Sequence, residues 1–336
     1  MLELASLKQL LAQPRKVVIT THHKPDGDAM GSSLGLYNYL IQQGHHVQVI
    51  TPTDYPDFLA WMPGNGEVLI YTDHLEVSAK FVAEAELIFC LDFNTLSRIN
   101  ELGELVRASS AVKVMIDHHL DPEDFDDYRH WDINACASAQ LVYTFIVNEL
   151  GNKAMINKDV ATCLYTGIMT DSASFRLPNT TSDVHRIAAD LIDAGAVNWH
   201  IHELVYSNSS ESRLRFLGYC LSEKLEVFPE FNTAMITVNK QELEKYDVIT
   251  GDTEGVVNYA LSITGIRLAA FIVERTDKVK LSLRSRGDFP ANDICKKYFN
   301  GGGHRNAAGG QSSDSLEQVV DQFKLILPKY KNLLIQ

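Results

Sequence analysis

The chain has 336 residues, 45% of them hydrophobic and 22% charged, with a formal net charge of −13. That length is more than one core comfortably supports and predicts two domains of roughly 150–200 residues in a soluble globular protein. No apolar run approaches the ~18–20 residues needed to cross a membrane, and the acidic balance speaks against an extended track for long nucleic acid.

The first residues, MLELASLKQLLAQPRK, alternate like an amphipathic helix and lack the apolar core and cleavage site of a signal peptide. Val17 to Thr21 is a β-branched run that reads as a buried strand, stopped by the breaker cluster His22-His23-Lys24-Pro25. Asp26 and Asp28 follow around a glycine, and a helix is predicted from about Met30 to Gln43, ended by Gly44. An imidazole and two carboxylates thus crowd the loop beyond a strand's carboxyl end, where open α/β sheets bind ligands. His and Asp without Cys suit Mn²⁺ or Mg²⁺, with Zn²⁺ or Fe²⁺ as alternatives, and not a structural thiolate zinc. Taken alone, the stretch reads equally as a polar turn with a helix cap.

Val47 to Pro52 is a second predicted strand. Glu86 to Asp92 is a buried strand ending on an aspartate, and Val112 to Asp117 repeats the pattern and runs into His118 and His119. Strands separated by helical patterns mean a mostly parallel sheet. Three strands therefore deliver acidic or imidazole groups at their carboxyl ends: His22, Asp26 and Asp28, then Asp92, then Asp117, His118 and His119. Ser138 to Leu150 and Lys158 to Thr170 read as helices, the second finishing at Asp171, which is either a further carboxylate of the same site or a surface turn. Thr181 to Ala194 is a capped helix ended by Gly195, and the chain stays helical and polar to about Glu223, with SNSSES at 207–212 as an exposed break. The five cysteines, Cys90, Cys136, Cys163, Cys220 and Cys295, are scattered, which predicts reduced, buried thiols in a cytoplasm.

The remainder changes character. Thr233 to Val238, Leu268 to Glu274 and Val279 to Arg284 are strand-like, and Pro290 to Phe299 reads as a helix. A glycine-rich turn is predicted over 300–310, NGGGHRNAAGG. Between Lys278 and Arg305 seven basic residues face two acidic ones, so Arg284, Arg286, His304 and Arg305 with the glycine backbone make an anion-site candidate.

His22-x-x-x-Asp26-x-Asp28, Asp92, Asp117-His118-His119 and Asp171 in TDSASF resemble the four motifs of the DHH phosphoesterase family. Gly301-Gly302-Gly303-His304, with Arg284 in SLRSRG, resembles that family's DHH-associated domain. The resemblance spans nearly the whole chain, and the two-domain layout is similar to the family's oligoribonuclease and 3'-phosphoadenosine-5'-phosphate phosphatase branch. It implies an α/β fold: a parallel-sheet catalytic domain over 1–195, a helical linker over 196–224, and a smaller α/β substrate domain over 225–336. Asn300, Ser172-Ala173-Ser174 and Gln140 depart from the usual pattern, which bears on substrate preference and touches none of the metal ligands.

The family pattern implies two metal ions, Mn²⁺ with Mg²⁺ or Co²⁺ as alternatives. His22 and Asp26 would hold the first ion, Asp28, His118 and Asp171 the second, and Asp92 both. Asp117 would orient the ring of His118, and His119 would face the scissile phosphate, while His23 falls off the motif as a solvent-facing neighbour. Arg284, Gly302, Gly303 and His304 would hold a substrate phosphate or nucleotide end. Asn94 and Arg98 would either touch substrate or face solvent, and Phe175 and Tyr298 would either stack on bases or sit in a core. The implied activity is hydrolysis of RNA of two to five nucleotides and of 3',5'-bisphosphonucleotides by a cytoplasmic enzyme, with a short cleft selecting length and a homodimer compatible with the sequence. The alternatives are a linear or cyclic dinucleotide (di-AMP) phosphodiesterase, a pyrophosphatase, disfavoured by the GGGH domain, and a non-catalytic nucleotide-binding protein, which predicts a damaged metal ligand where none is found.

Overall fold

A computed structural model describes residues 2–335. The chain divides into two compact units, the first running to Asn208 and the second starting at Ser209. In the first unit the strands are Lys16–Thr21 (β1), His46–Thr51 (β2), Val68–Ile70 (β3), Leu87–Leu91 (β4), Val112–Asp117 (β5) and Tyr128–Trp131 (β6). They form one sheet in the order β3-β2-β1-β4-β5-β6, parallel at every pairing. All five residues of β4 are buried, as expected for a strand covered on both faces. The helices are Leu4–Leu11 (α1), Gly27–Ile41 (α2), Leu75–Glu84 (α3), Leu102–Ala108 (α4), Ser138–Thr144 (α5), Lys158–Asp171 (α6), Ser182–Asp193 (α7) and Asn198–Tyr206 (α8). The predicted 138–150 helix is α-helical only to Thr144 and continues as a π-helical turn over Phe145–Glu149.

The strand order places a topological switch between β1 and β4, because the chain fills the sheet outward from β1 on one side and from β4 on the other. Side chains beyond the carboxyl ends of β1, β4 and β5 therefore share one edge at the position where such sheets bind ligands. A second contact fixes the depth of that edge. Helices α2 and α6 pack tightly because Gly31 presents no Cβ: one there would lie 2.6 Å from the Cys163 carbonyl oxygen and 2.7 Å from the Gly167 nitrogen. Gly27 and Gly35, one helical turn to either side, face Thr170 and Leu164 equally closely. This approach brings the start of α2 against the end of α6, which carries Asp171.

The second unit holds Glu211–Glu223 (α9), Leu225–Phe228 (β7), Thr233–Val238 (β8), Lys240–Lys245 (α10), Val256–Ser262 (α11), Leu268–Glu274 (β9), Val279–Ser285 (β10), Ala291–Tyr298 (α12), Gly302–His304 (β11), Ala307–Ser312 (β12) and Leu316–Leu334 (α13). Its sheet runs β11-β12-β10-β9-β8-β7, antiparallel except for the β8/β9 pair. Strand β10 alternates buried and half-buried positions, so one face packs on Leu281, Leu283, Phe289 and Phe323 and the other is open. The glycine-rich stretch expected to be a turn is instead the hairpin β11–β12, made into strands by its pairing with β10. Of the two helices over 196–224, α8 contributes Ile201 and Val205 to the first unit's core, and α9 contributes Phe216 and Cys220 to the second's.

All five cysteines are free and buried. Among the described residues, no helix is long and apolar enough to cross a membrane.

Candidate metal centre

His22 stands one residue beyond β1 and is 7% exposed. Its Nδ1 lies 3.0 Å from the carbonyl of His23. A carbonyl only accepts, so Nδ1 carries the proton and the Nε2 lone pair points at Asp92 Oδ2, 3.4 Å away, and Asp26 Oδ1, 3.9 Å away. His118 repeats the device. Its Nδ1 donates to the carbonyl of Ala135 at 3.1 Å, and Nε2 faces Asp92 Oδ1 at 3.5 Å, Asp171 Oδ2 at 3.6 Å and Asp28 Oδ2 at 3.8 Å. Anchoring the far nitrogen to a carbonyl is how ligating imidazoles are aimed.

The carboxylates are positioned by backbone. Asp26 caps α2, its Oδ1 accepting from the amides of Asp28 and Ala29, so the loop is a helix cap and a donor set at once. Asp28 is 1% exposed and accepts from the amides of Ser138 and Ala139 at the start of α5. Asp92 adopts φ +63°, a left-handed conformation that Asp tolerates better than most residues, and its amide donates to Ile116 as its chain leaves β4. That turn sends its carboxylate back over the sheet edge, where Ser138 Oγ donates to Oδ1 at 2.8 Å.

Charge is severely crowded here. Burial, with the repulsion of Asp92 and Asp171 added, pushes the Asp28 carboxyl well above the usual carboxylate range. Burial opposes ionisation of Asp92 too, but hydrogen bonds from His118 and His22 and the charge of His119 hold it well below that range. Burial should lower His22 and His118, yet Asp92 and the neighbouring carboxylates raise both, His118 strongly. Without a cation, protons must occupy the space between these groups; a divalent ion relieves the same repulsion more completely. The donor set fits such ions. His22, Asp26 and Asp92 each offer a donor atom within 4.8 Å of the others, and so do Asp28, Asp92 and His118, so the two sets share Asp92. Asp171 adds a carboxylate beside His118. No thiolate is among these donors, which excludes a structural zinc of the cysteine type.

One expectation is corrected. Asp117, fully buried, does not hold the ring of His118; its Oδ1 accepts from His119 Nδ1 at 2.8 Å and its Oδ2 from the His119 amide at 3.2 Å. Consecutive side chains beyond a strand point to opposite sides, and the turn gives Asp117 to the second histidine. Burial, opposed by Asp117 and assisted by the Arg98 charge, lowers His119. Arg98 also lowers His22, which places its guanidinium beside the centre, on the 3₁₀ turn Leu96–Ile99. Asn94 is occupied elsewhere, donating to the Leu120 carbonyl and so tying the loop after β4 to the loop after β5. His23 is half-buried, and its amide donates to Arg98. Phe175 packs between Tyr165 and His185 on the first core. Ser138 is the residue that sequence reasoning missed; its one signal is a Ser two residues before Gln140 at the head of an apolar helix.

In the second unit, Arg284 on β10 and His304 on β11 both pair with Ala307 on β12. Directly paired residues share a sheet face, so the two cationic side chains stand in one row with only a methyl between them. The next row on that face is Ser282, Gly309 and Gly302, nearly bare backbone. Gly303 takes φ +123° and pairs with the buried Ala308 in the alternate register. Tyr298 lies half-buried, with the ammonium groups of Lys297 and Lys329 at 5.4 and 5.3 Å from its ring.

Comparison with known proteins agrees with this layout. Residues 16–168 match the family model described as the DHH family, N-terminal domain, and residues 233–330 match the DHHA1 domain. The bifunctional oligoribonuclease and PAP phosphatase NrnA of Thermus thermophilus is 33% identical over 87% of this chain and 83% of its own. The protein of the same description from Bacillus subtilis is 25% identical over 94% and 96%. The crystal structure of an exopolyphosphatase-related protein from Bacteroides fragilis superposes with a TM-score of 0.94 at 42% identity, covering 99% of this chain and 97% of that one. With both domain types in order and a relative of that identity covered over most of its length, this chain belongs to the DHH family, in its NrnA-like branch.

Proposed function

We propose that the chain is a cytoplasmic, Mn²⁺-dependent phosphoesterase that hydrolyses RNA of two to five nucleotides to mononucleotides and 3'-phosphoadenosine 5'-phosphate to AMP. The observation that carries this reading is the pair of three-donor sets sharing Asp92 at the switch point of the parallel sheet. The activities in the names of the Thermus and Bacillus relatives supply the substrate class. The net charge of −13 disfavours long nucleic acid, and the buried free thiols suit a reducing compartment.

His22, Asp26 and Asp92 would hold one ion, and Asp28, Asp92, His118 and Asp171 the other. Bound there, two divalent ions supply the Lewis acidity that acidifies a water and neutralises a phosphate undergoing in-line displacement. The chain's own groups do the rest. The carbonyls of His23 and Ala135 keep each ligating ring aimed through Nδ1. Asp117 fixes the His119 ring with its Nε2 directed away, so that His119 contributes a hydrogen-bonding nitrogen to the scissile phosphate, with Arg98 adding positive charge. Arg284 and His304, side by side above the glycine row, are the candidates for holding a substrate phosphate other than the scissile one.

The test is turnover with Mn²⁺ on one panel: 3'-phosphoadenosine 5'-phosphate, RNA of two to five and of about twenty nucleotides, cyclic diadenylate and pyrophosphate. Preference for the bisphosphate and the shortest RNAs supports the reading. Preference for cyclic diadenylate or pyrophosphate overturns the substrate assignment, and no turnover despite bound metal overturns catalysis. In the same assay Arg284→Ala is expected to raise KM by roughly 10–100-fold with little change in kcat, the loss of one charge-assisted hydrogen bond to phosphate. An unchanged KM would remove Arg284 from substrate binding.

A further inference from the structure

Ser138 is fully buried at the first position of α5 and grips both central carboxylates. Its amide donates to Asp28 Oδ2 at 2.5 Å, the next amide, of Ala139, donates to Asp28 Oδ1 at 2.9 Å, and the Ser138 hydroxyl donates to Asp92 Oδ1 at 2.8 Å. A serine has one hydroxyl proton to give, and here it marks one oxygen of the shared aspartate and not the other. Oδ1, which receives it, faces His118 Nε2 at 3.5 Å, whereas Oδ2 faces His22 Nε2 at 3.4 Å. Both residues that Ser138 grips, Asp28 and Asp92, belong to the donor set completed by His118.

We infer that Ser138 is a positioning residue that makes the two ion positions unequal: it pins Asp28 and Asp92 in the orientation required by the Asp28–Asp92–His118 set, so this ion depends on the serine and the ion at His22–Asp26–Asp92 does not. The inference rests on the two-ion reading above. An Asp92 carboxylate without that hydrogen bond gains rotational freedom about its terminal torsion, and the oxygen facing His118 is the one that loses its fixed direction. Removal of a hydrogen bond that orients a ligating group lowers metal affinity by roughly 10–100-fold. The two amides holding Asp28 survive any non-proline substitution, so replacing the side chain isolates the hydroxyl.

The experiment is a Mn²⁺ titration of the purified full chain by calorimetry and by the electron paramagnetic resonance of bound Mn²⁺, with thermal unfolding of the metal-free protein alongside. His22→Ala and His118→Ala identify which binding phase belongs to which set. In Ser138→Ala the phase assigned to the His118 set is expected to weaken by roughly 10–100-fold, with the other within about threefold and the metal-free unfolding temperature unchanged. Ser138→Thr, which keeps the hydroxyl, restores the lost phase. If the wild type binds two ions and Ser138→Ala moves neither phase, or both equally, the inference is overturned. It is overturned as well if Ser138→Thr fails to restore what Ser138→Ala loses, because the loss then lies in packing. A wild-type chain that takes up fewer than two ions overturns the two-ion reading itself, and this inference with it.

Discussion

Asp92→Asn is expected to cut hydrolysis of every phosphate ester by roughly 10³-fold or more, while the chain remains folded. Asp92 is the one donor common to both three-donor sets, is 2% exposed, and is flanked by His22, His118 and His119. Asparagine is the informative replacement. The position has φ +63°, where a residue such as Ala costs roughly 1–2 kcal/mol of strain, whereas Asn is tolerated. Asp92→Ala therefore mixes loss of a charge with backbone strain, and Asp92→Asn removes only the charge. The measurements are kcat with Mn²⁺ on 3'-phosphoadenosine 5'-phosphate, the number of ions bound, and the unfolding temperature. Near-normal turnover would show that Asp92 is not a shared ligand.

The second large effect is on stability. Gly31→Ala is expected to destabilise the first unit by about 3 kcal/mol, because the added methyl meets backbone and not a flexible side chain. A penalty of that size in a unit of this length corresponds to a fall of roughly 6–12 °C in unfolding temperature. Gly218, on α9, has nothing within 4 Å of the point a Cβ would occupy. Gly218→Ala should leave stability unchanged or raise it by up to about 1 kcal/mol through helix propensity. Thermal unfolding of the two variants makes the comparison. If Gly31→Ala unfolds with the wild type, α2 and α6 have room to part that the contacts at Gly31 deny them. Metal binding should fall with stability in this variant, since the approach of the two helices carries Asp28 and Asp171 to the centre.

The elements that could be read from sequence are those with a strong local pattern. Val112–Asp117, Thr233–Val238 and Leu268–Glu274 are strands with the bounds expected of them. Their apolar and β-branched runs leave no competing period. Strands β3 and β6 are different: three and four residues at the sheet edges, the latter Tyr-Arg-His-Trp, are strands only because β2 and β5 offer them hydrogen bonds. Glycines carry no side-chain period at all, so β11 and β12 passed for a turn. No element is predicted after Gly310, although the nineteen-residue α13 starts with a capping box from Ser315 to Gln318 that could have marked it.

The amino-acid sequence by itself determined the kinds of groups available and the order in which strands deliver them: His22, Asp26 and Asp28 after the first strand, Asp92 after another, Asp117 to His119 after a third, and Asp171 at a helix end. Residue type and strand ends are local properties, so spacing alone reveals them. Only the tertiary structure decided which groups meet. It set β4 between β1 and β5, turned Asp92 back through a left-handed step, gave Asp117 to His119, paired Arg284 and His304 across Ala307, and brought Ser138 from a distant helix onto two carboxylates. Each of these is a contact between residues far apart in the chain or a choice between adjacent side chains. Such choices depend on strand order, register and the close passage of α2 past α6, none of which leaves a mark on any single stretch of sequence.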